Sequence, residues 1–169
     1  APLIVDVGTG SGCIALSIAA EREDAEVHAT DVSGPALHVA RRNARRLGLD
    51  GRVTFHEGQL LEPVGGLEVQ LVVSNPPYVD PSERDSLAPE VRDHEPHLAL
   101  FPPGDALAVY RRLVPAAARA LRRGGALAVE ISPALPEGVK ALFRDAGFLE
   151  PRVLEDLAGR PRVVRARLG

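Results

Sequence analysis

"LIVDVGTGSGCIALSIAA", residues 3–20, is the stretch that decides the fold. Residues 3–7 are mostly apolar and read as a short buried strand. Gly8, Gly10 and Gly12 then crowd into a loop, and residues 14–20 are apolar helix material that ends in the charged run 21–24. Glycines between a strand and a helix allow a tight turn and let the backbone approach a ligand closely. Residues 26–30 read as a second strand, which stops at Asp31. That is where a carboxylate can accept hydrogen bonds from ribose hydroxyls. The pair therefore predicts a site for a nucleoside-bearing cofactor.

The rest of the chain continues the alternation. Ser33 is an N-cap with Pro35 in the first turn, and Ala36, Leu37, Ala40, Ala44 and Leu47 mark one helical face, closed by Gly48. Residues 52–56 and 69–74 read as strands three and four. Residues 75–104 are rich in proline and acid with no sustained period, which predicts a long functional loop. Residues 105–121 read as a helix containing Pro115. Gly124 and Gly125 read as a turn into a strand over 126–131, residues 137–145 as a helix, and 148–154 and 162–168 as two closing strands. Strands alternating with helices predict a mostly parallel, seven-stranded α/β sheet with helices on both faces. The last two strands have no helix between them and are expected to pair antiparallel.

Composition narrows the function. The chain has 169 residues, 45% hydrophobic, and a net charge of −3, which suits one domain with a real core and no membrane span. A protein gripping a long stretch of nucleic acid carries a basic surplus, so no stable nucleic-acid binding is expected. Arg41, Arg42, Arg45 and Arg46 sit at helical spacing and read as a solvated face. Cys13 is the one cysteine, so no internal disulfide is possible and a cytoplasmic setting is expected. It reads as a small buried hydrophobe. No methionine occurs, even at position 1, which points to a processed product or part of a longer chain. His28, His38 and His56 read as isolated. Asp93, His94, Glu95 and His97 cluster in the long loop, but Pro96 interrupts any helix there, and no metal site is expected.

The glycine spacing is G-x-G-x-G, not the G-x-G-x-x-G of a pyrophosphate loop, and Asp6 directly before it would repel a phosphate. A carboxylate there suits a cation. S-adenosylmethionine (SAM) carries a ribose, an ammonium and a sulfonium but no phosphate, so it fits better than NAD.

"SNPPYV", residues 74–79, ends strand four against two prolines, which cannot continue a ladder. In such folds strand four lies beside strand one, so Asn75 emerges next to the glycine loop. The Asn75 side-chain carbonyl and the Pro76 backbone carbonyl are two acceptors that can hold both hydrogens of a planar NH2 group. Pro76 and Pro77 stiffen the turn, and Tyr78 can stack on the planar target. The residue pattern therefore points to methyl transfer onto a planar nitrogen.

"DVGTGSG" with "SNPPYV" resembles class I SAM-dependent methyltransferases (Rossmann-like) that act on planar nitrogens. "PEVRDHEPHLAL" (residues 89–100), "GDALAVYRRL" (104–113) and "DLAGRPRVV" (156–164) resemble the HemK/PrmC family of release factor glutamine methyltransferases more specifically. The resemblance implies that Gly8, Thr9, Gly10, Ser11 and Gly12 line SAM, with Asp31 on its ribose. It implies that Asn75, Pro76, Pro77 and Tyr78 hold the glutamine of the Gly-Gly-Gln motif of a peptide chain release factor. After strand three the family often has an acid and an aromatic near the adenine. Gln59 and Leu60 stand there instead, able to hydrogen-bond and pack on the ring. Family members carry a small helical domain before the catalytic one. Residues 1–169 read as the catalytic domain alone, without it. Two other functions stay open at this point: an amino-group methyltransferase of DNA or RNA, and a silent SAM-binding module.

Overall fold

The computed structural model describes residues 1–77 and 105–169. Tyr78, Asp93, His94, Glu95 and His97 lie outside the described residues. Seven strands form one sheet: β1 (Leu3–Val7), β2 (Glu26–Asp31), β3 (Val53–Glu57), β4 (Val69–Ser74), β5 (Leu121–Glu130), β6 (Phe148–Glu155) and β7 (Pro161–Leu168). Among the described residues the helices are α1 (Cys13–Glu21), α2 (Gly34–Arg46), α3 (Ala108–Ala120) and α4 (Pro136–Asp145), with a 3-10 turn at Glu62–Val64.

The strand order is β3-β2-β1-β4-β5-β7-β6. β1 pairs in parallel with both β2 and β4, as expected, and β7 pairs antiparallel with β5 and β6. The order reverses at β1. Carboxyl ends of strands on either side of such a point open a crevice for a ligand.

Side chains alternate across β1, which sorts the core into two layers. Leu3, Val5 and Val7 face a large cluster with Leu113, Val114 and Ala117 of α3 and Val139 and Phe143 of α4. Ile4 faces a smaller cluster with Ala15, Leu16 and Ala19 of α1 and Ala44 of α2. Phe143 is fully buried against Phe148, with ring centroids 5.0 Å apart. Burying one such ring contributes about 1.5–3 kcal/mol. Tyr110 is also fully buried, and its hydroxyl donates to the Glu130 carbonyl at 2.7 Å.

Ser33 caps α2, its hydroxyl accepting from the Ala36 N–H at 3.2 Å. Such caps contribute about 1 kcal/mol. Three expectations need correction. Gly124 and Gly125 do not precede β5 but lie inside it. Val69 pairs with Leu121 and Leu71 with Ala126, so residues 122–125 bulge out of register, and Gly124 takes the left-handed φ of 73° that this requires. Cys13 is exposed, because α1 turns Ala15, Leu16 and Ala19 inward and Cys13 outward. His28 and His56 are not isolated. The β2–β3 register stacks their rings 5.0 Å apart, with His28 Nδ1 2.9 Å from His56 Nε2 and His28 Nε2 3.0 Å from Glu26. Burial, then electrostatic interaction with His28 and Arg41, holds the His56 pKa below its ordinary value.

Among the described residues no helix is long and apolar enough to cross a membrane.

Candidate active site

The glycine loop leaves β1 and is fixed from three sides. Gly8 N–H and Thr9 N–H both donate to the Thr30 carbonyl, at 2.8 and 3.1 Å, which ties the loop to the end of β2. Gly10 N–H donates to Asp31 Oδ2 at 2.9 Å. Asn43 of α2 donates through Nδ2 to the Ser11 carbonyl at 2.9 Å. Gly8 and Gly10 have positive φ, and a Cβ at either would meet no heavy atom within 4 Å. Their absent side chains leave open space above the backbone. Gly12 is different. A Cβ there would lie 3.1 Å from the Ala40 side chain and from Leu16, so this glycine lets α1 and α2 close on the loop.

Two carboxylates stand at the carboxyl ends of the strands. Asp31 accepts from Gly10 N–H through one oxygen and from Ser33 N–H, at 2.9 Å, through the other. Asp6 points to the α1 side of the sheet and is 1% exposed. Its Oδ2 accepts from the Thr9 hydroxyl at 2.6 Å and from Ala15 N–H at 3.1 Å. Its Oδ1 is buried with no hydrogen-bond partner. A buried carboxylate oxygen without a donor costs free energy unless it is protonated or meets a cation. Burial pushes the Asp6 pKa up from 3.8 to about 6, against the opposing pull of Thr9 and Ala15, and Asp31 adds a smaller upward push. Glu57 ends β3 opposite Asp31, and it reaches the start of α2 at Gly34. A ribose, an ammonium and a sulfonium suit this set of donors and open space. A phosphate does not.

β4 brings the second half of the site. Ser74 is buried, and its hydroxyl donates to the Val7 carbonyl at 2.7 Å, locking the end of β4 to the end of β1. The next residues therefore emerge beside Gly8. Asn75 is exposed and Pro76 is buried, so the asparagine is presented on a packed proline. Gln59 and Leu60 follow β3. Leu60 has a positive φ of 50°, and its carbonyl accepts from the Thr30 hydroxyl at 2.7 Å. Its side chain packs on the larger core cluster, and both residues line a groove of about 840 Å³ that runs along α3. The structure thus gathers Gly8 to Gly12, Asp31 and Asn75 at one crevice. It sets Gln59 and Leu60 at the groove beyond it. Sequence reasoning missed Asn43, Ser74 and Glu57. The serine preceding Asn75 was visible, but its partner on β1 depends on strand register.

The raised Asp6 pKa has a testable consequence. Without a ligand, the folded protein keeps a proton that the unfolded chain loses above about pH 4. This group's contribution to stability is therefore complete below the unfolded value and is lost as pH rises through about 6. A cation against Oδ1 favours the ionised form, so binding it expels that proton. Affinity for a cationic nucleoside should fall below pH 6, by up to about tenfold per pH unit. Calorimetric titration with SAM at several pH values, on the wild type and Asp6→Asn, measures this. A wild-type affinity that does not change with pH removes Asp6 from cation binding.

A sheet with this strand order and antiparallel β7, with its glycine loop and acid at one switch point, defines the class I SAM-dependent methyltransferase fold. The chain belongs to the methyltransferase small domain family, whose model matches residues 2–94. It is 42% identical, over its whole length, to a release factor glutamine methyltransferase of Geobacter sulfurreducens, of which it covers 59%. It is 48% identical, over 98% of its length, to the protein of that name in Deinococcus radiodurans, of which it covers 58%. The chain thus spans little more than half of these relatives. The hMettl16 catalytic domain, solved with the MAT2A 3'UTR hairpin 1, shares the fold at a TM-score of 0.76 and 17% identity, covering 99% of this chain and 63% of that one.

Proposed function

We propose that residues 1–169 form a methyltransferase domain that transfers the methyl group of SAM to the side-chain amide nitrogen of the glutamine in the Gly-Gly-Gln motif of release factors. The observation that carries this reading is the lock between Ser74 and Val7, which presents Asn75-Pro76 beside the glycine loop. The similarity to release factor glutamine methyltransferases supports the choice of acceptor. The net charge of −3 favours a protein over a nucleic acid as substrate.

Gly8 to Gly12, Asp6 and Asp31 would hold SAM, which supplies an electrophilic methyl group on a sulfonium. Gln59 and Leu60 would bound the adenine side. Asn75 Oδ1 and the Pro76 carbonyl would each accept one hydrogen of the glutamine amide. An amide nitrogen is a weak nucleophile because its lone pair is delocalised. Two fixed acceptors orient that lone pair and favour the positive charge that develops on nitrogen as it attacks. Pro77 holds the turn, and Tyr78 would stack on the amide plane. No general base is required, because the alkylated amide loses its proton to water readily. The setting on this reading is the cytoplasm, where release factors work.

Incubation with methyl-labelled SAM and three acceptors tests the reading: a release factor, its Gln→Ala variant, and DNA. Label is expected in the unmodified factor alone. Label in DNA, or equal label in the Gln→Ala variant, contradicts it.

A further inference from the structure

The groove between residues 59–68 and α3 shares only Gln59 and Leu60 with the site above. One wall is cationic. Arg112 and Arg119 lie seven positions apart on α3, and Arg122 follows just beyond the helix. Residues at this spacing share one helical face, about 10 Å apart. All three are exposed, and among the described residues none has an ion-pair or hydrogen-bond partner. Their neighbour Arg111 is bound at both ends to Asp105, at 2.8 and 2.9 Å. Between Arg112 and Arg119 the helix presents Pro115 and Ala116, an apolar strip. The opposite wall carries Glu62, Glu68 and the exposed Leu67.

We propose that this groove docks an extended, acidic segment of the protein substrate, which rests on the reading of the acceptor as a release factor. Charge decides the occupant. Three arginines without a partner among the described residues attract carboxylates. A nucleic-acid backbone, charged on every side, would also meet Glu62 and Glu68. An extended peptide places alternate side chains on opposite edges. It can turn carboxylates two residues apart, about 7 Å along the strand, to the long side chains of Arg112 and Arg119, and set the alternating apolar side chains toward Leu67 on the opposite wall. The groove's lining includes Gln59 and Leu60, which follow β3 at the end of the sheet where Asn75 emerges. A segment lying in it would run toward the transfer site.

The test compares the wild-type chain with Arg112→Glu/Arg119→Glu, whose fold is checked by thermal melting. The first probe is a fluorescent peptide of alternating Glu and Leu. It should bind the wild type and lose about tenfold in affinity in the variant, as for two modest surface charge pairs. In steady-state methylation the variant's KM for a release factor should rise by a similar factor. Its kcat, and its KM for a short Gly-Gly-Gln peptide, should stay unchanged. No arginine-dependent peptide binding, or an unchanged KM for the release factor, overturns the proposal. So does tighter binding of a single-stranded RNA through the same arginines. If the wild type methylates no acceptor, the functional reading fails, and the substrate-docking proposal built on it falls too. The peptide titration still reports separately whether the groove takes acidic peptide.

Discussion

Asn75→Ala is expected to lower methyl transfer by about 10²–10³ while leaving SAM affinity within a few-fold, as for loss of one preorganised transition-state partner. Asn75 is exposed at the end of β4, on a buried proline, with no side-chain hydrogen-bond partner among the described residues. Among the described residues its amide holds up no part of the fold and is open to accept from a substrate. The Ser74–Val7 lock, which positions it, is made by the preceding residue and survives the substitution. The effect should appear in the chemical step. Single-turnover transfer from enzyme saturated with SAM measures that step directly. A rate equal to the wild type removes Asn75 from the mechanism.

Asp31→Ala should weaken SAM binding by about 1.5–3 kcal/mol, roughly 10- to 150-fold, the worth of hydrogen bonds to a charged group. Asp31 has two tasks. It accepts from Gly10 and Ser33, which shapes the loop and the entry to α2, and on the proposed reading each oxygen keeps a lone pair for a ribose hydroxyl. Asp31→Asn separates them, because the amide keeps one acceptor for the loop but loses the charge. Calorimetry on both variants, with melting curves beside it, gives the split. Unchanged affinity in Asp31→Ala takes the residue out of the site.

Much of this architecture could be read from local signals. The strand before Gly8 and the helix after Gly12 follow from apolar runs and glycine punctuation, and Ser33 with Pro35 marks the start of α2. The placement of β4 beside β1 followed from the topology rules of alternating folds. Most of the failures share one cause, which is register. The His28–His56 stack needs the offset of β3 against β2, and the Ser74–Val7 bond needs that of β4 against β1. The four residues that bulge at the start of β5 exist only relative to their partners on β4. Cys13 failed for a different reason. Position in a loop-to-helix junction does not say which way the first helical residue points, and the buried stripe of α1 begins two residues later. Asp6 was legible as a carboxylate suited to a cation. That one of its oxygens is left without a donor could be seen only once Thr9 and Ala15 were both placed on the other.

The measurement closest to the central claim is the location of the transferred methyl group. A release factor incubated with this chain and SAM is digested, and its peptides are sequenced by mass spectrometry. A single methyl on the side-chain nitrogen of the Gly-Gly-Gln glutamine, lost when Asn75 is replaced by alanine, is the predicted result. Methyl groups on any other residue, or a modified glutamine that persists at the wild-type rate in Asn75→Ala, would contradict it.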